Sequence, residues 1–305
     1  TVVAANIGTD LFELPAGPVG FAMGAEYRKE ESFFAQDALG ASGALFFNAI
    51  GTREGEYDTK EAYAELRVPL LKDLPFAQEL TFEAAGRIAD YSSIGKTDQY
   101  QVRLEWAPVE DVRFRASQGT AVRAPNIVEL YSPQSRNFTT AAIDPCDKDS
   151  YAVASAANKA LRLATCSAAI AGYNPATFVS NFGTGRPSLP LLQGGNPDLG
   201  PETANTYNLG VVVQPRWIPR LQFSLDFFKY NIADQVGTIP INTLLQDLCY
   251  QSTEAYASNP FCSLIIRDPT GTNGGAVAGG VIEVIQTNQN VAKVKVEGYD
   301  ASVQY

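Results

Sequence analysis

The amino-acid sequence predicts an all-β fold, an antiparallel transmembrane β-barrel represented in part by about ten strands of a larger barrel. Three observations carry this expectation. Segment after segment alternates apolar and polar residues with period two. Each alternating segment approaches the ~10 residues that a tilted membrane strand needs. Short Pro-rich connections also alternate with long polar ones along the chain. No run approaches ~18 uninterrupted apolar residues, so no membrane-crossing helix is expected.

The strands follow in order. A weaker one fits 3–11. In 19–28, Val19, Phe21, Met23, Ala25 and Tyr27 share a face. In 61–68, Ala62, Ala64, Leu66 and Val68 oppose Glu61, Tyr63, Glu65 and Arg67. In 80–88, Leu80, Phe82, Ala84 and Ile88 oppose Thr81, Glu83 and Arg87. In 99–106, Tyr100, Val102, Leu104 and Trp106 oppose Gln99, Gln101, Arg103 and Glu105. The pattern recurs in 112–117, 207–213 and 221–227, and more weakly in 281–288 and 294–305. Strict alternation marks strands with one apolar and one polar face.

The connections at 13–18, 70–78, 108–111 and 215–220 are short. Those at 29–59, 122–203 and 234–280 are long, and a modest turn at 92–97 falls on the long-loop side. In an up-and-down sheet alternate connections share an end, so tight turns gather at one end and large loops at the other, as in an outer-membrane barrel. A soluble sandwich is the alternative, but its strands average about 5–6 residues and its loops are not sorted by length. The barrel places Phe21, Leu66, Phe82, Leu104, Phe114, Leu209 and Phe223 toward lipid, and Arg67, Glu83, Arg103, Arg113 and Asp226 toward the lumen. Tyr27, Trp106, Trp217, Tyr230 and Tyr305, near strand ends, fit an interfacial aromatic girdle, with ordinary strand propensity as the plainer account. Within the longest loop, 147–172 is Ala-rich, and Val153, Ala157, Leu161 and Ala164 follow helical spacing. Residues 271–280 form a Gly-rich, flexible loop tip.

Composition narrows the function. The chain has 305 residues, with 23 basic against 33 acidic and a net charge of −10, which disfavours nucleic acid as a partner. Histidine is absent, which removes Ser-His-Asp and Cys-His catalysis and the HExxH zinc site, and disfavours direct haem capture by these loops. Glu61, Glu65, Glu83 and Glu105 could be read as an acid/base pair or a cation site, but nearly every strand repeats them, so they read as polar lining. The turn-rich 194–203 lacks the strand–loop–helix context of a phosphate cradle. No catalytic residue, metal or cofactor is expected.

Cys146 and Cys166 share one long loop, and Cys249 and Cys262 share the next, with no CxxC. Two local disulfides are the economical pairing of the three possible, against four buried free thiols. Each would remove closure entropy worth roughly 3 kcal/mol from a loop read as having no core of its own. Where 112–122 ends and the longest loop opens, Arg123, Asn126 and Glu129 surround Pro125. They read either as a ligand- or plug-facing shelf or as a strand terminus whose side chains satisfy backbone groups.

These residues resemble a known family. VRAPNIVELY at 122–131 is similar to a strand-end motif of TonB-dependent outer-membrane receptors, and GNPDLGPET at 195–203 to the start of a later strand. DLFELPAGPV at 10–19, KEAY at 60–63, DPC at 144–146, CY at 249–250 and PFC at 260–262 resemble further landmarks, in order along the whole chain. The resemblance implies a barrel of roughly 22 strands with a plugged lumen. It implies a substrate-specific active importer in the outer membrane of a Gram-negative bacterium, with a passive porin or adhesin-like barrel as the alternative. Its partners would be outer-membrane lipid, a plug domain, the TonB energy-coupling protein and a small-molecule ligand such as a siderophore or oligosaccharide. No leader, plug, TonB box or terminal aromatic strand is visible, so the chain is expected to be a mid-barrel portion of a longer protein.

Overall fold

In the computed structural model, which describes residues 1–45, 49–140, 142–182, 188–272 and 277–305, the chain forms two sheets. In chain order the described strands are β1 (Val2–Leu14), β2 (Gly17–Phe34), β3 (Arg53–Leu74), β4 (Ala77–Tyr91), β5 (Gly95–Val109), β6 (Val112–Arg123), β7 (Ser135–Thr139), β8 (Leu189–Gln193), β9 (Glu202–Val213), β10 (Gln222–Gly237), β11 (Ile265–Asp268), β12 (Gly280–Ile285) and β13 (Gln289–Gln304). β1 to β6, then β9, β10 and β13, form a nine-stranded sheet, antiparallel at every pair and open at β1 and β13. The fold is thus the mostly antiparallel, partial barrel that the period-two pattern predicts.

Register sorts the side chains as expected. Phe21 lies opposite Leu66, Phe82 opposite Leu104, Trp106 opposite Phe114, Ala116 opposite Leu209 and Val213 opposite Phe223. On the other face Arg67 lies opposite Glu83, Glu83 opposite Arg103, and Asp226 opposite Gly210. Arg113 shares the face of Arg115, the residue that pairs with Gly210. A one-residue slip would have inverted all of these positions. Tight turns lie at one end, at 15–16, 75–76, 110–111 and 214–221; the long connections 35–52, 124–201 and 238–288 lie at the other, with the short turn 92–94.

Three expectations about the strands need correction. β2 and β3 continue to Phe34 and from Arg53, well inside the expected loop 29–59. Apolar alternation stops there, but the hairpin stays paired through polar contacts that water permits on both faces. Lys29 Nζ lies 2.9 Å from Glu56, the Tyr57 hydroxyl donates to Glu30 at 3.0 Å, and Arg53 stacks over Phe34. The strand expected at 281–288 is not part of the main sheet. As β12 it pairs in parallel with β8, within a four-stranded sheet ordered β11-β12-β8-β7. Alternation alone does not say which sheet a strand joins. Tyr230 is not on the apolar face with Tyr27 and Trp106. It pairs with Val296 and Thr206 on the polar face, and its hydroxyl donates to Asn208 at 3.2 Å. Trp217 lies in the 214–221 turn and Tyr305 follows β13, both highly exposed. Residues 273–276 of the Gly-rich tip lie outside the described residues; Gly271 and Gly279 flank them with positive φ.

The second sheet belongs to a module built from the second and third long connections. The described helices are α1 (Ala38–Ala41) in the first connection and, in the other two, α2 (Ile127–Tyr131), α3 (Lys148–Ala152), α4 (Ala156–Ala169), a π-helix at Thr243–Tyr250 and a 3-10 helix at Cys262–Leu264. α4 begins where the Ser155 side chain accepts the Asn158 N–H, an N-cap, and buries Thr165 and Cys166. The module has a hydrophobic core, including Leu189, Leu191, Leu244, Leu245, Val281 and Val284. Each large side chain buried there contributes roughly 1.5–3 kcal/mol. The loops are therefore not coreless, contrary to the sequence expectation; apolar residues scattered through long polar segments leave no periodic signal.

Candidate functional site

The polar face carries a ladder of ion pairs across successive strands. Arg67 Nε lies 3.3 Å from Glu83, and Arg103 reaches the same carboxylate at 3.3 Å. Arg113 bridges Glu79 at 2.8 Å and Glu105 at 3.1 Å. Arg87 pairs with Glu61. Arg115 grips Asp226 with two bonds, of 2.8 and 2.6 Å, reaching over β9. That reach needs Gly210, where a Cβ would strike Asp226 and come within 2.8 Å of Arg115 Nε. The arginines of the nine wall strands all register on this face, whereas Lys29, Lys60, Lys96, Lys229 and Lys295 register on the other; Lys72, opposite Glu79 beyond a bulge, is the exception on the arginine face. The division is physical, since the guanidinium fork suits bidentate pairing and the lysine stem suits an apolar surface with its charge led away. Part of this face, with Arg103, Glu105, Arg115, Asp226 and Tyr230, lines a recess of about 470 Å³.

At the mouth, the structure brings Arg123, Asn126 and Glu129 together. Asn126 caps α2 by accepting the Glu129 N–H at 2.9 Å, and Glu129 returns the favour by accepting the Asn126 N–H at 2.8 Å. This capping box satisfies two donors at once. Arg123 donates to both oxygens of Glu129, at 2.9 and 3.1 Å, and pairs with Glu202. Glu202 also accepts the Val236 N–H at 2.8 Å. Asn126, Glu129 and Arg123, with Glu202, thus tie the strand end, α2, β9 and β10 into one node, in which Arg123 and Glu202 lie opposite each other on the polar side of the register.

The sequence did not single out Glu202, nor the amides beside it. Asn196 donates to the Asn288 carbonyl at 3.0 Å. Asn290 accepts from Gly200 N at 2.8 Å and donates to the carbonyls of Gly200 and Asp234 at 3.0 and 2.7 Å. Gly195 fits because a Cβ there would lie 2.7 Å from the Leu130 carbonyl and Ser132 N. The motif at 195–203 was the available signal for this junction. Asn288 and Asn290 carried none.

In the module, Cys146 is joined to Cys166 and Cys249 to Cys262, with Cα separations of 5.8 and 5.0 Å. Beside them lies a buried ion pair that sequence reading missed, Asp144 with Arg267, their side chains 0% and 4% exposed. The partners are far apart in the chain, so no local pattern signals them. Burial works against the charge on Arg267, yet Asp144 and the Tyr250 hydroxyl hold its pKa above the ordinary value. Burial first, and then the nearby Asp144 charge, pushes the Tyr173 hydroxyl up to about 12; it donates to the Cys146 carbonyl at 2.9 Å. Burial lowers the pKa of Arg162, whose bonds go to Ser150 and Gln246.

A family model described as "TonB dependent receptor-like, beta-barrel" matches residues 3–305. Among solved structures, the chain is similar to the siderophore receptor PirA from Acinetobacter baumannii, at 15% identity and TM-score 0.54, over 99% of this chain and 34% of that one. It is similar to a mutant of the ferric enterobactin receptor PfeA from Pseudomonas aeruginosa in complex with enterobactin, at 14% and 0.57, over 98% and 32%. It is also similar to a double mutant of the Serratia marcescens hemophore receptor HasR in complex with its hemophore HasA and heme, at 13% and 0.54, over 99% and 38%. At these identities the likeness carries the fold. The chain spans about a third of the length of the solved structures it matches.

Proposed function

The chain belongs to the TonB-dependent receptor β-barrel family, and on that premise we propose that it forms part of the wall and external loops of a substrate-specific active import receptor in the outer membrane of a Gram-negative bacterium. One observation carries the reading. The nine-stranded sheet leaves an apolar face open, with Ile7, Ile88 and Leu209 each more than half exposed, opposite a face of paired charges. Water does not tolerate an apolar face of that extent, whereas lipid does. The apolar face meets outer-membrane lipid, and the ion-pair ladder faces the lumen. The end with tight turns is periplasmic and the disulfide-bearing module is external.

The polar ladder is where a plug domain would rest, and the node of Arg123, Asn126 and Glu129 is the shelf facing plug or ligand at the mouth. The transported ligand is a small molecule such as a siderophore or an oligosaccharide, and TonB supplies the energy through the plug. Uptake of labelled ferric siderophores and oligosaccharides by cells carrying the complete receptor tests this. Accumulation should saturate and should stop when a protonophore collapses the proton-motive force. Uptake that rises linearly with concentration and ignores the protonophore would make the barrel a passive pore.

A further inference from the structure

The two disulfides lie in different connections, and no covalent bond joins those connections. A continuous polar path does. Asp144, just before Cys146, accepts the Cys146 N–H at 3.0 Å and the Ser180 hydroxyl at 2.9 Å. Arg267, a few residues after Cys262, donates to both oxygens of Asp144, at 2.8 and 3.0 Å, and to the Gly279 carbonyl at 2.7 Å. Its Nε donates at 2.7 Å to the hydroxyl of Tyr250, the residue next to Cys249. Its Nη2 lies 3.4 Å from the Cys146 sulfur. Arg267 therefore touches the surroundings of both disulfides at once.

Apolar packing repeats the arrangement. Leu189 and Leu191 of the second connection share one core with Leu244, Leu245, Ile265, Val281 and Val284 of the third. β8 of the second pairs with β12 of the third. All four cysteines lie in that core, at 0–2% exposure. Both connections thus contribute buried residues to a single cluster.

We propose that the second and third connections form one cooperative unit, clasped by Asp144, Arg267 and Tyr250, in which each disulfide is shielded by the other connection. Loosening the third connection withdraws Arg267 and leaves Asp144 as a buried carboxylate without a counter-charge. That state is costly enough to open the second connection as well. A ligand that binds the closed form of either connection more tightly than the open one then biases both, because the unit has one opening equilibrium. The proposal does not rest on the import reading.

Two measurements on the complete receptor in its membrane or in detergent test it. The first is native-state hydrogen exchange. Amides of α4 and of β11 should open with a common denaturant dependence, and with equilibrium constants within about threefold; a difference beyond about tenfold would overturn the proposal. The second uses the Cys249→Ser/Cys262→Ser variant, with the wall checked as folded by its heat-dependent migration on gels. Cys146 and Cys166 should become reducible by a mild thiol at least about tenfold faster than in the native protein. Unchanged protection of that bond, with new protease cuts confined to 243–268, would show that the connections fold separately. If the variant does not insert, exchange on the native protein decides alone.

Discussion

The charge on Arg267 is tolerable in the module core chiefly because Asp144 faces it with two hydrogen bonds, with the Tyr250 hydroxyl and the Gly279 carbonyl accepting its other donors. Removing one partner of a buried pair leaves the other uncompensated, and such changes cost about 3–5 kcal/mol. Asp144→Asn should therefore strongly lower the urea concentration at which the module becomes protease-sensitive, while the wall holds. A shift too small to measure would mean that water reaches the pair. Tyr173 makes a second point. Its neutral hydroxyl donates to the Cys146 carbonyl, and burial raises its pKa from 10.0 to about 12. A raised folded value means that the contribution is full below the unfolded pKa and is lost as pH climbs through the folded one. Module protection should be flat up to pH near 10 and decline between there and about 12. Burial shifts Tyr250 in the same direction, so Tyr173→Phe should soften the decline without abolishing it. Protection that persists unchanged through pH about 12 would remove the tyrosines from the account.

Each wall strand has a pleat that separates an apolar face from a polar one. Leu104 lies in β5 between Phe82 and Ala116 on the apolar face and is 41% exposed. If it lies near the bilayer midplane, Leu104→Arg should cost ~2–4 kcal/mol of folding stability into lipid. Gln101→Arg, one turn of the pleat away on the polar face, should cost far less; equal costs would mean that the face assignment is wrong. The wall was legible in the sequence because alternation is a local signal imposed by a two-sided environment, and Leu104 and Arg103 announce their faces by being adjacent. Tyr230 was misplaced because an amphipathic ring suits either face, and only its pairing with Val296 decides. β12 was assigned to the wrong sheet because its partner β8 lies far back in the chain and pairs in parallel. Of the mouth node, Arg123, Asn126 and Glu129 were visible as polar groups around Pro125. Glu202 and Asn290 were not, since their roles exist only where separate segments meet.

At the scale of the molecule, the direction of the two free edges constrains what completes the barrel. β1 runs from the long-connection end to the tight turn at 15–16. β13 starts after the connection 238–288 and runs to that same end, since it lies antiparallel to β10. The two edge strands are therefore parallel, as they must be in a meander of nine. Pairing them directly would insert one parallel ladder into an otherwise antiparallel sheet. Leaving them open would present the N–H and C=O groups of both edges to hydrocarbon, where each unsatisfied group costs several kcal/mol. An all-antiparallel closure needs an odd number of further strands, which gives the even total of bacterial single-chain barrels. In the complete protein, cysteines placed in opposite positions along β1 and β13 should therefore fail to cross-link with a short reagent, and the barrel should show an even strand count. Efficient β1–β13 cross-linking in the folded, membrane-inserted protein would mean that this sheet closes on itself through a parallel seam.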